Sequence, residues 1–211
     1  LMQAFKQFTT FIISICFVAV SFADNFDIEL TLDSEISYES QKIFINSLKG
    51  IQSKRDLEKL IKNQDWIDEY YLNFIPLSKS AKLSITSRKP FFILNNRYFV
   101  DRELKKFKFF NSDLNLVLVS GPIDDLNDPL KIMNFFNDYE KKIFNLKTIE
   151  YSYVSGWEVT TNSFVVKIGK QLSEKKFKSL RDTLNYLYEN KRNPSMIDLR
   201  YKDGVALNYG E

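Results

Sequence analysis

The chain has 211 residues, and its 30 Lys and Arg nearly balance 27 Asp and Glu, which leaves a formal charge of only +3. That balance does not favour nucleic acid as a partner. The chain has no His and only one Cys, which excludes zinc sites built on His or Cys, Cys–His and Ser–His dyads, and disulfides within the chain. Carboxylates alone could still serve an enzyme, but no spacing in the sequence suggests one.

An uncharged, apolar run covers residues 7–23, between Lys6 and Asp24. As a helix it would reach roughly 26 Å, slightly less than the hydrocarbon core of a bilayer at roughly 30 Å. It is a candidate transmembrane helix, but it also fits a secretory signal peptide, because residues 21–23 resemble a cleavage site. In both cases residues 24–211 are expected across the membrane, since the positive charge lies N-terminal to the run.

Residues 24–89 are predicted to form a first domain with the order β-α-α-β-β. The strands show apolar residues at every second position, and Ser53 with Asp56 resembles a capping box that opens the second helix. Gly50 is expected to stop the first helix. The predicted elements are a strand at 26–32, a helix at about 38–48, a helix opened by Ser53, and strands at 66–74 and 81–88.

Residues 90–211 are predicted to form a second, β-rich domain after the joint at Pro90. Hairpins are expected around Asn95-Asn96-Arg97 and Asn162-Ser163, and Ser173 is a candidate N-cap for the last helix. The predicted elements are strands at 91–94, 98–100, 114–119, 146–153, 157–161 and 164–168, helices at 129–144 and 173–187, and a terminal hairpin at 196–209.

The terminal hairpin is the most specific pattern in the chain. A three-residue loop, Lys202-Asp203-Gly204, unites one apolar face by setting Tyr201 opposite Val205, Leu199 opposite Leu207 and Ile197 opposite Tyr209. A two-residue loop would put the apolar rows on opposite faces. The last strand is expected at an open edge of its sheet, where a partner could add a strand.

Other candidate features have ordinary structural explanations. The basic stretch at 167–192 could attract anionic lipid or nucleic acid, although a solvated helix face is the commoner cause. Trp66 and Trp157 are expected as core anchors, and Tyr209 could pack in the core or contact a partner. No glycine-rich phosphate loop, metal-ligand spacing or cofactor motif is present in the sequence.

Five motifs in order resemble the bacterial cell-division family FtsQ (DivIB), and the resemblance covers roughly residues 8–209. They are Trp66-Ile67, Arg88-x-Pro90 with Val100-Asp101, Leu118-x-x-Gly121-Pro122, Trp157-x-Val159 with Asn162-Ser163 and Val166-x-Ile168-Gly169, and the hairpin from Ile197 to Tyr209. The chain departs from the family pattern after Asp101, where a glycine is missing, at Ser155-Gly156, where arginines are common, and at Met196, which replaces an aromatic residue.

The resemblance implies an α+β protein with a short cytoplasmic end and a retained transmembrane helix in 1–23. A POTRA-type domain would occupy 24–89 and a mixed α/β domain with a largely antiparallel sheet 90–211. The family is non-enzymatic and needs no cofactor or metal. It acts at the septum, from the periplasmic side of the inner membrane, where it holds an FtsB-like and FtsL-like pair and contacts other division proteins. The partner-binding residues would be Met196, Arg200, Val205, Ala206, Leu207, Asn208 and Tyr209.

Two alternatives remain open on the sequence. One is a periplasmic POTRA module of an outer-membrane assembly or secretion machine, which normally has further POTRA copies or a large barrel. The other is an enzyme of the cell envelope, which the lack of His and of a recognisable nucleophile disfavours.

Overall fold

The computed structural model describes the main chain of residues 16–20 and residues 26–33, 39–108, 114–140, 144–202 and 204–210. The chain divides into two units, residues 1–88 and 89–211. Each unit has its own mixed β-sheet with helices, so the fold class is α+β.

The first unit contains a four-stranded sheet in the order β1-β2-β4-β3. Strands β2 and β4 run parallel, and the other two pairs are antiparallel. The predicted β-α-α-β-β order is confirmed, and strand β1 is added to it. The elements are β1 (Cys16–Val20), β2 (Asp27–Asp33), α1 (Glu39–Leu48), α2 (Lys54–Lys62), β3 (Ile67–Ile75), a 3₁₀ turn (Pro76–Ser78) and β4 (Ser80–Ser87).

The predicted membrane helix at the N-terminus is wrong for the part of the run that the structure describes. Cys16–Val20 is a strand that pairs with β2, with Val18 opposite Leu30. Among the described residues, no helix has both the length and the apolar character needed to cross a bilayer. The error has a physical reason, because a short apolar run rich in aromatic and β-branched residues suits a strand as well as a helix. The rest of the run, 7–15 and 21–23, lies outside the described residues.

The core of the first unit lies between one face of its sheet and the two helices. Leu30 of β2, Leu83 of β4 and Phe44 of α1 are each 1% exposed. The Phe44 ring meets Trp66 edge-on at 5.6 Å between ring centroids, so Trp66 is a core anchor as predicted. The cap prediction is also confirmed, since the Ser53 hydroxyl accepts a hydrogen bond from the Asp56 N–H at 3.2 Å.

The second unit contains a nine-stranded sheet in the order β13-β12-β11-β10-β9-β8-β5-β6-β7. Parallel pairs are β11–β12, β5–β8 and β8–β9, and the remaining pairs are antiparallel. Its elements are β5 (Phe92–Leu94), β6 (Tyr98–Val100), β7 (Lys106–Lys108), β8 (Val117–Ser120), α3 (Asn127–Asn137), β9 (Leu146–Ser152), β10 (Gly156–Thr161), β11 (Val165–Gly169), α4 (Glu174–Glu189), β12 (Met196–Asp198) and β13 (Ala206–Asn208).

Helices α3 and α4 contribute to one core with the apolar face of this sheet. Ile132 of α3, Leu180 of α4 and Val159 of β10 are fully buried in it. Helix α3 ends at Asn137, earlier than the predicted 144, and Tyr139 stacks instead on Phe144 at 5.8 Å between ring centroids. The predicted residues 141–143 of this helix lie outside the described residues.

Two residues of the family-like motifs have clear local roles. The buried Asp101 carboxylate accepts the N–H groups of Glu103 and Lys105 at 2.9 Å each, which holds the turn after β6. Gly121 has φ +117°, and a Cβ there would lie 2.1 Å from the Tyr151 carbonyl oxygen. Only glycine suits that position, so the close packing of the backbone explains why this motif has glycine there.

Candidate partner-binding edge

Strand β13 is one outer edge of the nine-stranded sheet, and β7 is the other. The two edges differ in chemistry. The β7 edge carries exposed Lys106 and Lys108, a common protection against unwanted strand pairing. The β13 edge consists of Ala206, Leu207 and Asn208 and has no charged side chain. The uncharged edge is therefore the one that suits strand addition.

The register of the terminal hairpin differs from the prediction by two residues. Ile197 lies opposite Leu207, whereas Tyr209 was expected there, and Asp198 lies opposite Ala206. The connection between the strands therefore runs over residues 199–205 and is longer than three residues. A shift of two keeps each side chain on its own face, so Ile197 and Leu207 still share the apolar face as predicted.

The longer connection has a cause in the Asp198 side chain. Its Oδ1 accepts the Arg200 backbone N–H at 3.0 Å, and its two oxygens accept the Arg200 Nε and Nη2 at 2.9 and 2.6 Å. This turn ends β12 at Asp198, while the Leu199 N–H donates to the Lys167 carbonyl at 2.8 Å. The bonds from Arg200 hold the pKa of the Asp198 carboxyl below its usual range.

The hydrogen-bond pattern shows which backbone groups of β13 face outward. Val165 N–H donates to the Ser195 carbonyl and Leu199 N–H to the Lys167 carbonyl, so Ile197 directs its own backbone groups towards β11. Met196 and Asp198 must then pair with Asn208 and Ala206. By alternation, the N–H and C=O of Leu207 point away from the sheet. Val205 precedes the strand, and its backbone N–H and C=O have no hydrogen-bond partner among the described residues.

The seven predicted partner-binding residues do not all lie on one surface. Val205 and Leu207 are half-buried and pack against the core, so they can offer their backbone but little side chain. Ala206 and Asn208 are exposed beside the edge, and Met196 is half-buried on the neighbouring strand. Arg200 is exposed at the turn but is already bonded to Asp198.

Tyr209 does not pack in the core, because the register shift leaves it beyond the paired residues of the hairpin. It is 48% exposed and accepts a hydrogen bond from Arg192, which raises the pKa of Arg192. The Arg192 guanidinium also lies 5.8 Å from the Tyr186 ring centroid. Sequence reasoning missed this Tyr186–Arg192–Tyr209 cluster, because the two tyrosines are far apart in the chain.

A cavity of about 610 Å³ lies beside the start of β13 and has a strongly basic wall. Val205 and Gly204 line it, and its cationic residues are Lys175, Lys176, Arg200 and Lys202. Lys176 donates to the Ile168 carbonyl, and burial lowers the pKa of its amine. The basic stretch predicted as a solvated face therefore contributes in part to a concave surface at the edge.

The described residues contain no group of three or more His, Cys, Asp or Glu side chains that could hold a metal ion. No protein-family model and no curated protein matches the sequence.

Proposed function

We propose that this chain is a non-enzymatic scaffold of the bacterial division machinery. Its second unit holds an FtsB-like and FtsL-like pair at the septum, on the periplasmic side of the inner membrane. Binding occurs by addition of a partner strand to β13. The observation that carries the proposal is the uncharged, open edge formed by Ala206, Leu207 and Asn208.

Strand addition requires unpaired backbone groups in an extended strand and a surface for alternate side chains of the partner. Leu207 supplies an outward N–H and C=O, and Val205 extends this row by one step. The exposed Ala206 offers little steric obstruction, and the Tyr209 ring next to the edge supplies an exposed aromatic surface. These features fit an extended peptide better than a small molecule.

Charge around the edge indicates the chemistry of the partner strand. The basic cavity lies at the Val205 end of β13, so an acidic residue at that end of the partner strand would be attracted. Asp198 offsets the charge of Arg200 through their ion pair, and the lysines Lys175, Lys176 and Lys202 keep the wall of the cavity positive. We therefore expect a partner segment that is extended, apolar in the middle and acidic at one end.

Amide hydrogen exchange tests the mode of binding directly. The full chain would be titrated with the periplasmic segment of the organism's own FtsB-like protein while single amides are followed by NMR. We expect the outward amides of Leu207 and Val205 to become slow to exchange on binding. The Ala206 and Asn208 amides, which already pair with β12, should change much less and serve as internal controls.

A chain that ends at residue 203 provides a second test, after its folding has been checked. Loss of binding in the folded truncation would support the site on β13. Binding that survives truncation would move the site elsewhere and contradict strand addition here. A complete lack of binding by the full chain would reject the division scaffold and favour the alternative of a POTRA module in a transport machine.

A further inference from the structure

Strand β3 is a second open edge, in the first unit, and it is three times as long as β13. It covers the nine residues Ile67–Ile75 and forms the outer strand next to β4. Its charged residues, Asp68 and Glu69, lie at its start beside a β-bulge, whereas residues 70–75 carry no charge and no Pro, and Tyr71 is 68% exposed. An uncharged stretch of edge strand is prone to pair with another strand, so residues 70–75 suit such pairing.

The pairing within the sheet identifies the outward backbone groups of β3. Asp27 N–H donates to the Lys79 carbonyl, which directs the odd-numbered residues of β4 towards β2. The even-numbered residues of β4 therefore bond to β3, at Tyr71, Asn73 and Ile75. The N–H and C=O groups of the intervening residues Tyr70, Leu72 and Phe74 face outward.

We propose that β3 pairs with β3 of a second copy of this chain, antiparallel and about a two-fold axis at Leu72. This register is the one that uses all the outward groups, because Tyr70 bonds to Phe74 of the second copy and Leu72 bonds to its own counterpart. Six backbone hydrogen bonds form across the axis. The two four-stranded sheets become one continuous sheet of eight strands.

The side chains are self-complementary in this register. On the helix side, Tyr70 lies opposite Phe74 of the second copy and Leu72 opposite Leu72, so every cross-strand pair there is apolar. On the other side, the exposed Tyr71 lies opposite Asn73. A closed two-fold contact of this kind uses the same patch on both copies, so the patch must be complementary to itself. An edge that binds a different protein has no need of such self-complementarity.

Disulfide trapping tests both the contact and its register. In the full chain with Cys16→Ser, Tyr71→Cys and Asn73→Cys are made as separate proteins at exposed positions. In the proposed register these positions face each other as a non-bonded pair, about 4.5 Å apart at Cα, within disulfide range. The same position on two copies is a diagonal pair, about 7–8 Å apart, beyond that range.

We expect mild oxidation of the mixture to give several-fold more covalent dimer than oxidation of either protein alone. Equal yields in the mixture and the single proteins would overturn the register. A wild-type chain that sediments as a monomer at every concentration up to about a millimolar would overturn the contact, because weak interfaces between proteins still associate in that range.

A charge-swap pair provides an independent test at the axis. Residue 72 lies opposite its own counterpart in the proposed dimer. A dimer of Leu72→Lys alone, or of Leu72→Glu alone, would therefore bring two like charges together, and their repulsion should keep each variant monomeric. The mixture of the two should dimerise again. Thermal melting of each variant checks that the protein still folds with a charge at the half-buried Leu72 position. If both variants fold but their mixture remains monomeric, the proposal is contradicted. Strand β13 lies in the other unit, so failure here leaves the division scaffold untouched.

Discussion

The substitution Val205→Pro tests strand addition at β13 through a single backbone group. Val205 directly precedes the paired residues of β13, and its N–H donates no hydrogen bond among the described residues. Proline removes the outward N–H and requires an extended residue before it, which Gly204 can supply. The fold of the second unit should therefore tolerate the change, while the partner strand loses a donor.

The magnitude follows from that lost donor. A typical backbone hydrogen bond contributes about 0.5–1.5 kcal/mol net, and a carbonyl left buried without a partner costs about 1–3 kcal/mol. Together these predict a loss of roughly 1.5–4.5 kcal/mol of binding free energy. Since about 1.4 kcal/mol corresponds to a tenfold change in Kd, the affinity should fall by roughly 10- to 2000-fold.

Isothermal titration calorimetry with the FtsB-like segment measures this change, and Val205→Ala is the matched control. Alanine keeps the N–H and removes part of a side chain that is half-buried against the core. We expect Val205→Ala to bind within a few-fold of the wild-type chain. The reasoning is refuted if a folded Val205→Pro protein binds as tightly as wild type, or if Val205→Ala loses as much affinity as Val205→Pro.

Three further predictions concern stability and the limits of the site. Gly156→Ala should destabilise the second unit by roughly 2–5 kcal/mol in urea unfolding. The reason is that Gly156 has φ +77° and that a Cβ there would lie 2.1 Å from the Gly169 carbonyl carbon. A Gly156→Ala protein as stable as the wild type would contradict this. The pKa of Asp198 is lowered in the folded state, so the stability that its carboxylate contributes is present above the unfolded pKa and is lost as the pH falls below about 4. Asp198→Asn should therefore lower the melting temperature at pH 7 and reduce its fall with decreasing pH. A melting temperature that still falls with pH as steeply as in the wild type would contradict this. Lys178→Glu, on the exposed face of α4, should leave partner binding unchanged, and a large loss by calorimetry would extend the site onto that helix.

Much of the fold could be predicted because local patterns and tertiary packing agree. The alternation in β2 and β4 places Ile28 and Leu83 in the core, as the period of a half-buried strand requires. Ser53 and Ser173 cap α2 and α4 as their spacing indicates. The open edge at the C-terminal strand was also predicted, from the hairpin pattern, and it is present in the sheet order.

The register of the last hairpin could not be predicted, because the competing loops satisfy the same apolar alternation. The choice depends on the bonds between Asp198 and Arg200, which are side-chain contacts that a period-2 pattern does not contain. The membrane helix was wrong for a related reason. Residues 16–20 are apolar in either structure, and only their pairing with β2 decides in favour of a strand. Strand β7 was missed because its three residues include two lysines.

The difference between the protected and unprotected edges is the strongest argument that the open ones bind partners. A sheet edge that binds nothing is commonly blunted by charge, as Lys106 and Lys108 blunt β7. The same chain leaves β13 without charge, and on β3 it confines charge to Asp68 and Glu69 at the start, so that residues 70–75 are uncharged and Tyr71 is exposed. Solubility alone would favour charge along the whole of each edge. The β13 and β3 edges lie in different units, so a chain that uses both could bind a partner strand through one while a second copy pairs through the other.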